Sequence, residues 1–185
     1  MRVVAGTARG RRLKELPGMD TRPTTDKVKE SLFNIIQFEV EGRRVLDLFG
    51  GTGQLGIEAL SRGAARCTFV DASRPAAAVI RENLKTVGFA DRGDVRQQDA
   101  VAYLSACGEK FDLILLDPPY ASDLLERCIG AVTKFDILAE YGIMVCESAA
   151  DRRVALPEPF FGEIREYRYG KIKLTVCRRQ EGERA

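Results

Sequence analysis

Histidine is absent from all 185 residues. That absence removes Ser-His-Asp and Cys-His nucleophile machines and any histidine-ligated metal. Proton handling falls to carboxylates, lysine, tyrosine or solvent. Paired cysteines are missing too: Cys67, Cys107, Cys128, Cys146 and Cys177 lie far apart with no CxxC, so neither a zinc site nor a disulfide framework is indicated. Cys67, Cys146 and Cys177 sit in apolar strand-like runs and read as buried thiols. No apolar run approaches the roughly 18 residues that cross a bilayer, and no signal peptide opens the chain. Cytoplasmic residence is the expectation. Internal repeats and low-complexity segments are also absent, and this length is that of one domain with a three-layer core.

Charge is scarce in sum but unevenly placed. The net charge is +2, yet residues 1–29 hold eight basic side chains against three acidic ones, and the remaining 156 residues sum to −3. Arg2, Arg9, Arg11, Arg12, Lys14, Arg22, Lys27 and Lys29 make the opening a basic arm on a near-neutral body. Such an arm suits either a polyanionic partner or plain solvation.

From about residue 43 short apolar strands alternate with amphipathic helices. Strands are predicted at Arg44–Phe49, Cys67–Asp71, Asp94–Gln98, Phe111–Asp117 and Gly142–Ser148. Helices are predicted at Gln54–Arg62, Pro75–Val87, Val101–Cys107 and Asp123–Lys134. Pro75 at a helix start and Gly88 just past its end follow the usual asymmetry. This order implies an α/β fold, a mostly parallel sheet covered on both faces. Ile164–Tyr169 and Lys171–Arg178 alternate about Gly170 and predict an antiparallel hairpin. Ahead of the body, strand-like pieces are expected at Arg2–Ala5 and Arg12–Leu16, then a helix over Thr25–Phe38. The tail beyond Arg179 reads as polar and frayed.

The loop after the first strand carries the first chemical signal. Gly51, Gly53 and Gly56 spell GxGxxG, and Asp71 closes the second strand 20 residues after Gly51. Glycines there let a ligand approach the backbone, and the acid suits ribose hydroxyls. The same glycines also serve simply to pack helix on strand. Asp47, at the start of the turn, would repel a pyrophosphate but favours an ammonium or sulfonium group. S-adenosylmethionine answers that description better than a nicotinamide or flavin dinucleotide. Asp99, ending the third strand, is placed to accept from an adenine amino group, or to cap the helix that follows.

The fourth strand ends in Asp117–Pro118–Pro119–Tyr120. Two prolines fix φ and cannot donate ladder hydrogen bonds, so the strand stops and exposes its last carbonyls. An acid, those carbonyls and an aromatic face are presented together on a stiff turn. The set suits a flat heterocycle bearing an exocyclic amino group, whereas the bland alternative is a proline-rich turn.

These residues carry a resemblance. The glycine loop, Asp71, Asp99 and the Asp-Pro-Pro-Tyr turn are similar to the motifs of class I methyltransferases that act on exocyclic amino groups of nucleobases. The match sharpens to the bacterial 16S ribosomal RNA guanine-N2 methyltransferases. It runs through Arg2–Val3–Val4–Ala5–Gly6, Arg9–Gly10–Arg11–Arg12–Leu13, Arg22–Pro23–Thr24–Thr25–Asp26 onward to Asn34, Leu46–Asp47–Leu48–Phe49, Glu58–Ala59–Leu60 through Ala64, and Tyr169–Gly170. Gly50 and Gln54 depart from the family's usual residues. The resemblance implies a Rossmann-like, seven-stranded sheet with its last strand antiparallel, a basic N-terminal arm over 1–22 that docks ribosomal RNA, and a methyltransferase domain over 23–180. It implies S-adenosylmethionine held by Arg22, Thr24, Asp47, Phe49, Gly51, Gly53, Asp71, Ala72, Asp99 and Ala100. Asp117, Pro118, Pro119 and Tyr120 would carry the chemistry on a guanine of the small subunit, and Arg9, Arg11, Arg12 and Lys14 would neutralise phosphates. No metal and no membrane enter this reading. The alternatives are methylation of adenine N6 in DNA or RNA, and a non-catalytic RNA-binding assembly factor.

Overall fold

A computed structural model describes residues 1–16, 26–120, 122–157 and 159–179. The element order is α1 (Asp26–Ile35), β1 (Arg44–Leu48), α2 (Gln54–Ser61), β2 (Arg66–Asp71), α3 (Arg74–Val87), β3 (Gly93–Gln97), α4 (Ala100–Ala106), β4 (Phe111–Leu116), α5 (Leu124–Lys134), β5 (Leu138–Ala149), β6 (Phe161–Tyr169) and β7 (Ile172–Arg179). Seven strands form one sheet in the order β3-β2-β1-β4-β5-β7-β6. All pairings from β3 to β5 are parallel, and β7 runs antiparallel between β5 and β6. The predicted doubly covered sheet and its antiparallel last strand are both present.

Alternation along the strands sorts side chains onto two layers. Val45, Leu113, Leu115, Ile143, Val145, Leu174 and Val176 face a cluster completed by α1, α2 and α3. Leu46, Leu48, Ile114, Leu116, Met144 and Cys146 face the opposite cluster under α4 and α5. Gly56 shows how tightly α2 seats, because a Cβ there would lie 2.3 Å from Phe69 and 2.6 Å from the Cys67 sulfur. Ser73 caps α3 by accepting from the Ala76 N–H, and Gly88 ends it in the left-handed region. Among the described residues no helix is long and apolar enough to cross a membrane.

Three sequence expectations need correction. The two strands expected in the N-terminal arm reduce to a single antiparallel bridge between Arg2 and Arg12. The arm is instead a compact turn that buries Val3, Ala8 and Leu13, and its strand-type pairing is confined to the bonds flanking that bridge, Val3 N–H to the Arg11 carbonyl and Leu13 N–H to the Met1 carbonyl. The first helix stops at Ile35, and Phe38 beyond it is 92% exposed. The fifth strand starts four residues early, at Leu138. Tyr141 adopts φ 58° within it, and the register to β4 shifts between Phe111 and Leu113. That irregularity disguises the first half of the strand as a turn.

What welds the arm to the body is Glu58, a fully buried carboxylate in α2. Its oxygens accept from the Val4 N–H at 2.8 Å, the Ala5 N–H at 2.9 Å and Arg62 Nε at 2.9 Å. The equally buried Lys29 lies 3.9 Å away and donates to the Arg2 carbonyl at 2.6 Å. Burial pulls the Lys29 ammonium below a lysine's usual range, and Glu58 opposes that shift. Glu58→Ala should therefore cost about 3–5 kcal/mol, because it strands a buried cation and two backbone donors. Denaturant unfolding checks the loss, and hydrogen exchange at the Val4 and Ala5 amides should accelerate with it.

Candidate functional site

The chain moves from β1 to β2 and β3 on one side, then crosses to β4 and β5 on the other. That reversal opens a crevice beyond the carboxyl ends of β1 and β4, where ligands bind in open α/β sheets. The glycine loop leaves β1 at this point. Phe49 and Gly50 both donate to the Val70 carbonyl, at 2.9 and 3.1 Å. Phe49 takes φ 65°, and Gly51 and Gly53 follow at φ 57° and 80°. A non-glycine residue held at positive φ is strained, and such strain concentrates at ligand-binding turns.

Asp47 and Asp71 brace this loop from below. Gly53 is the N-cap of α2 and has no side chain to cap with. Asp47 supplies the cap from the neighbouring strand, its Oδ2 accepting from the Gly56 N–H at 2.9 Å. Asp47 is 2% exposed, and burial, with Asp71 nearby, pushes its carboxyl from an ordinary 3.8 up to about 7. Asp71 accepts from the Gly51 N–H at 2.9 Å through one oxygen and from the Ser73 N–H at 2.8 Å through the other. Each Asp71 oxygen keeps a further lone-pair site. Ala72 follows it, exposed at the rim.

The remaining predicted residues lie along the same edge. Asp99 is exposed and its Oδ1 accepts from the Ala102 N–H at 2.9 Å, so it is the N-cap of α4, with Ala100 buried as the first helical residue. Beyond β4, Asp117 is half-buried, Pro118 buried, and Pro119 and Tyr120 exposed. Continuing the strand alternation places Asp47, Asp71 and Asp117 on the face that carries α1 to α3. Arg22 and Thr24 lie outside the described residues. Among the described residues no group of three or more acids, cysteines or histidines is placed to hold a metal.

The arm sits beside the loop rather than at the turn. Arg9, Arg11, Arg12 and Lys14 are exposed, and Lys14 pairs with Glu82 of α3 at 2.7 Å. Asn83, 1% exposed, joins the two regions. Its side chain accepts from the Lys14 N–H at 2.7 Å and donates to the Lys14 carbonyl at 3.1 Å and to the Thr52 carbonyl at 2.9 Å. The arm and the glycine loop thus share one buried amide.

Asn83, Glu147 and Arg152 went unmarked in the sequence. Glu147 accepts from the Tyr120 hydroxyl at 2.7 Å, and Arg152 donates to the Tyr120 carbonyl at 2.9 Å. Glu147 did carry a signal: it is an acid near the carboxyl end of an apolar strand, as Asp71 is. Arg152 and Asn83 carried none.

A family described as "Conserved hypothetical protein 95" matches residues 1–178. A Bacillus subtilis protein named "Putative rRNA methyltransferase YlbH" is 45% identical over 186 residues, covering 97% of this chain and 100% of that protein. The Haemophilus influenzae ribosomal RNA small subunit methyltransferase D is 34% identical over 161 residues, covering 85% of this chain and 83% of that one. A solved structure described as "Putative methyltransferase yhhF from Escherichia coli" superposes with a TM-score of 0.86 at 32% identity, covering 98% of this chain and 99% of that chain.

The Asp47 environment makes a pH prediction. A carboxyl raised to about 7 in the fold binds a proton that the unfolded chain releases near its ordinary value. Its stabilising contribution is present below the unfolded pKa and is lost as pH climbs through 7, on the order of a few kcal/mol. Asp47→Asn keeps an oxygen for the Gly56 N–H but carries no titrating group. Urea midpoints measured from pH 4.5 to 8 should fall more steeply for the native chain than for this variant.

Proposed function

The chain belongs to the family described as conserved hypothetical protein 95, and we propose that it transfers a methyl group from S-adenosylmethionine to the exocyclic N2 amino group of a guanine in 16S ribosomal RNA of the small subunit. One observation carries this reading: the Asp-Pro-Pro-Tyr turn opens beside the glycine loop at the sheet's switch point. The relatives named as ribosomal RNA methyltransferases support RNA as the substrate.

The residues present fit the cofactor. Gly51 leaves the loop without a side chain where a ligand would pass, whereas a Cβ on Gly53 would press on Ile80 and Ile57, at 3.2 and 3.3 Å. Asp71 retains acceptor sites for ribose hydroxyls, and Ala72, Asp99 and Ala100 border the adjoining rim, where an adenine would be read. The buried Oε1 of Gln54, first residue of α2, has no hydrogen-bond partner, and a ligand ammonium at this loop would satisfy it. Asp47 and Phe49 hold the loop's shape from β1, and Arg22 and Thr24 join the set by resemblance. When bound, S-adenosylmethionine supplies an electrophilic methyl group on a sulfonium.

An aromatic exocyclic amine is a poor nucleophile because its lone pair is delocalised into the ring. Asp117 and the Pro118 carbonyl accept its two hydrogens. This draws the nitrogen toward tetrahedral geometry and aims the lone pair out of the ring plane. Pro119 stiffens the turn, and Tyr120 stacks on the base, which has to be splayed from its RNA surroundings to reach it. The released proton passes to Asp117 or to solvent. Catalysis of this kind rests on positioning and electrostatics.

Docking belongs to the arm and extends onto α3. Arg74, Arg81 and Lys85 are exposed and recur at helical spacing, forming a cationic stripe. Lys14 and Arg11 reach α3 through Glu82 and the Thr86 carbonyl, so arm and stripe form one basic track that runs toward the cofactor rim. Such contacts set register on a phosphate backbone and leave sequence unread.

The decisive test incubates methyl-labelled S-adenosylmethionine with unmodified small subunits, naked ribosomal RNA, duplex DNA and protein, followed by nucleoside mass spectrometry. N2-methylguanosine from the subunit is the expected product. Label in adenine would discard the guanine assignment, and cofactor binding without transfer to any substrate would favour an assembly factor. Asp117→Ala should lower transfer at least a hundredfold, with S-adenosylhomocysteine affinity kept within about twofold. Reversing charge at Arg81 and Lys85, or at Arg9 and Arg12, should weaken RNA binding and flatten its salt dependence by roughly 0.7–0.9 log units per lost phosphate contact. An unchanged slope in both pairs would remove the track from the docking surface.

A further inference from the structure

Tyr120 is 39% exposed, yet it is tethered at both ends. Its hydroxyl donates to Glu147 Oε1 at 2.7 Å. Its carbonyl accepts from Arg152 Nη1 at 2.9 Å, and Arg152 Nη2 reaches the Ser122 carbonyl at 2.7 Å. Within the turn, the Ser122 hydroxyl donates to the Pro119 carbonyl at 2.8 Å. The chain after the two prolines is therefore held through both side chain and backbone.

Each tether is itself anchored. The β4–β5 register pairs Leu116 with Cys146, so the next residues, Asp117 and Glu147, stand side by side on the same face. Glu147 is 4% exposed, and it belongs to a continuous strand, so its carboxylate has little freedom to move. Arg152 lies just past β5 and pairs with Glu126 of α5, Nη2 to Oε2 at 2.6 Å and Nε to Oε1 at 3.2 Å. Its carbonyl accepts from Lys173 Nζ at 2.6 Å, and Lys173 also binds Glu166 at 2.7 Å. The guanidinium thus spends its fork on two carbonyls and one carboxylate, a task that a lysine cannot duplicate.

We propose that Glu147 and Arg152 are positioning residues for the target base: Glu147 fixes the plane of the Tyr120 ring, and Arg152 fixes the main chain that carries it. This rests on the reading of the turn as a base-methylating site. The ordering cost of an aromatic platform is then met on folding instead of on substrate binding. Stacking on such a platform contributes about 1–3 kcal/mol per base, but only a ring held in one orientation places the amine within reach of transfer. Glu147 acts through Tyr120 and does not itself take the substrate proton, since its hydroxyl partner and its burial already occupy it.

The test measures methyl transfer to small subunits, S-adenosylhomocysteine affinity, and hydrogen exchange at the Tyr120 and Ser122 amides in the full chain. Tyr120→Phe and Glu147→Ala should each lower kcat by ten- to a hundredfold, with cofactor affinity unchanged. Glu147→Gln, whose amide oxygen still accepts from the hydroxyl, should stay within about threefold of the native rate. The double variant Tyr120→Phe/Glu147→Ala should be no slower than the slower single one, as for residues acting through one bond. Arg152→Ala should speed exchange at Ser122 and lower kcat, and Arg152→Lys should not restore either. If Glu147→Ala fails to fold, Tyr120→Phe carries the test, because it removes one oxygen and little volume. Unchanged kcat in Tyr120→Phe, multiplicative effects in the double variant, or Glu147→Gln falling as far as Glu147→Ala would overturn the proposal. Should the native chain transfer no methyl group to any substrate, the methyltransferase reading fails. Exchange at Tyr120 and Ser122 then decides the clamp alone: acceleration in Tyr120→Phe and Arg152→Ala supports it, and native rates refute it.

Discussion

A carboxylate taken wholly out of water costs several kcal/mol unless hydrogen-bond donors and counter-charge surround it. Glu58 meets that condition only because the N-terminal arm folds over it and presents the Val4 and Ala5 amides. The dependence runs both ways. Without Glu58 those amides have no partner, Lys29 is a buried cation without its counter-charge, and Val3, Ala8 and Leu13 lose the site on which they pack. The arm's orientation follows from this one demand. With its apolar residues turned inward and the Val4, Ala5, Thr7 and Ala8 amides committed to α2, its arginines are left facing solvent. Ser61 extends the weld one turn along the same helix, donating to the Ala5 carbonyl at 2.6 Å and accepting from the Ala8 N–H at 2.9 Å.

The same economy of partners connects the arm to the crevice. Asn83 holds the Lys14 backbone on one side and the Thr52 carbonyl on the other, so a displacement of the arm is felt at the glycine loop through a single rigid amide. Asp47 does comparable service across layers. A strand residue caps a helix whose own N-cap is glycine, and the glycine is there because the loop needs positive φ. The loop can be bare where a ligand would approach only because the capping has moved to β1. That displacement accounts for the burial of Asp47, and burial accounts for its raised pKa.

Much of this was legible in the sequence because it is local. Strand and helix alternation, the Pro75 and Gly88 helix signals, the glycine triplet and the Asp-Pro-Pro-Tyr turn are written in neighbouring residues, and the sheet follows from them. What stayed hidden depends on partners far along the chain. Glu58 bonds residues 53 and 54 positions earlier, Asn83 reaches back 69, and Arg152 reaches back 32 to Tyr120. A polar residue on a helix or after a strand looks solvated until the fold brings its partner. In Gly56–Ile57–Glu58–Ala59–Leu60 the acid is flanked only by apolar residues, and such isolated charges are the ones to suspect of burial. The arm misled for the opposite reason: its pieces pair only briefly, about the Arg2–Arg12 bridge, while the Val4, Ala5, Ala8 and Lys14 amides turn to side chains of α2 and α3.

Along the crevice the acids divide by environment, and the division fits the proposed chemistry. Asp47 is buried behind the loop with one oxygen committed to the Gly56 amide, so its work is to shape the turn. Asp71 is bound by two backbone donors but keeps acceptor sites outward, as a residue that grips hydroxyls needs. Asp117 is half-exposed on a stiff turn, whereas its neighbour Glu147 is buried and engaged with Tyr120. Two carboxylates on adjacent strands could both serve as bases if only their chemistry mattered. Their different access to the crevice separates them: on the proposed function, Asp117 would meet an incoming amine and Glu147 would hold the ring against which that amine's base would rest.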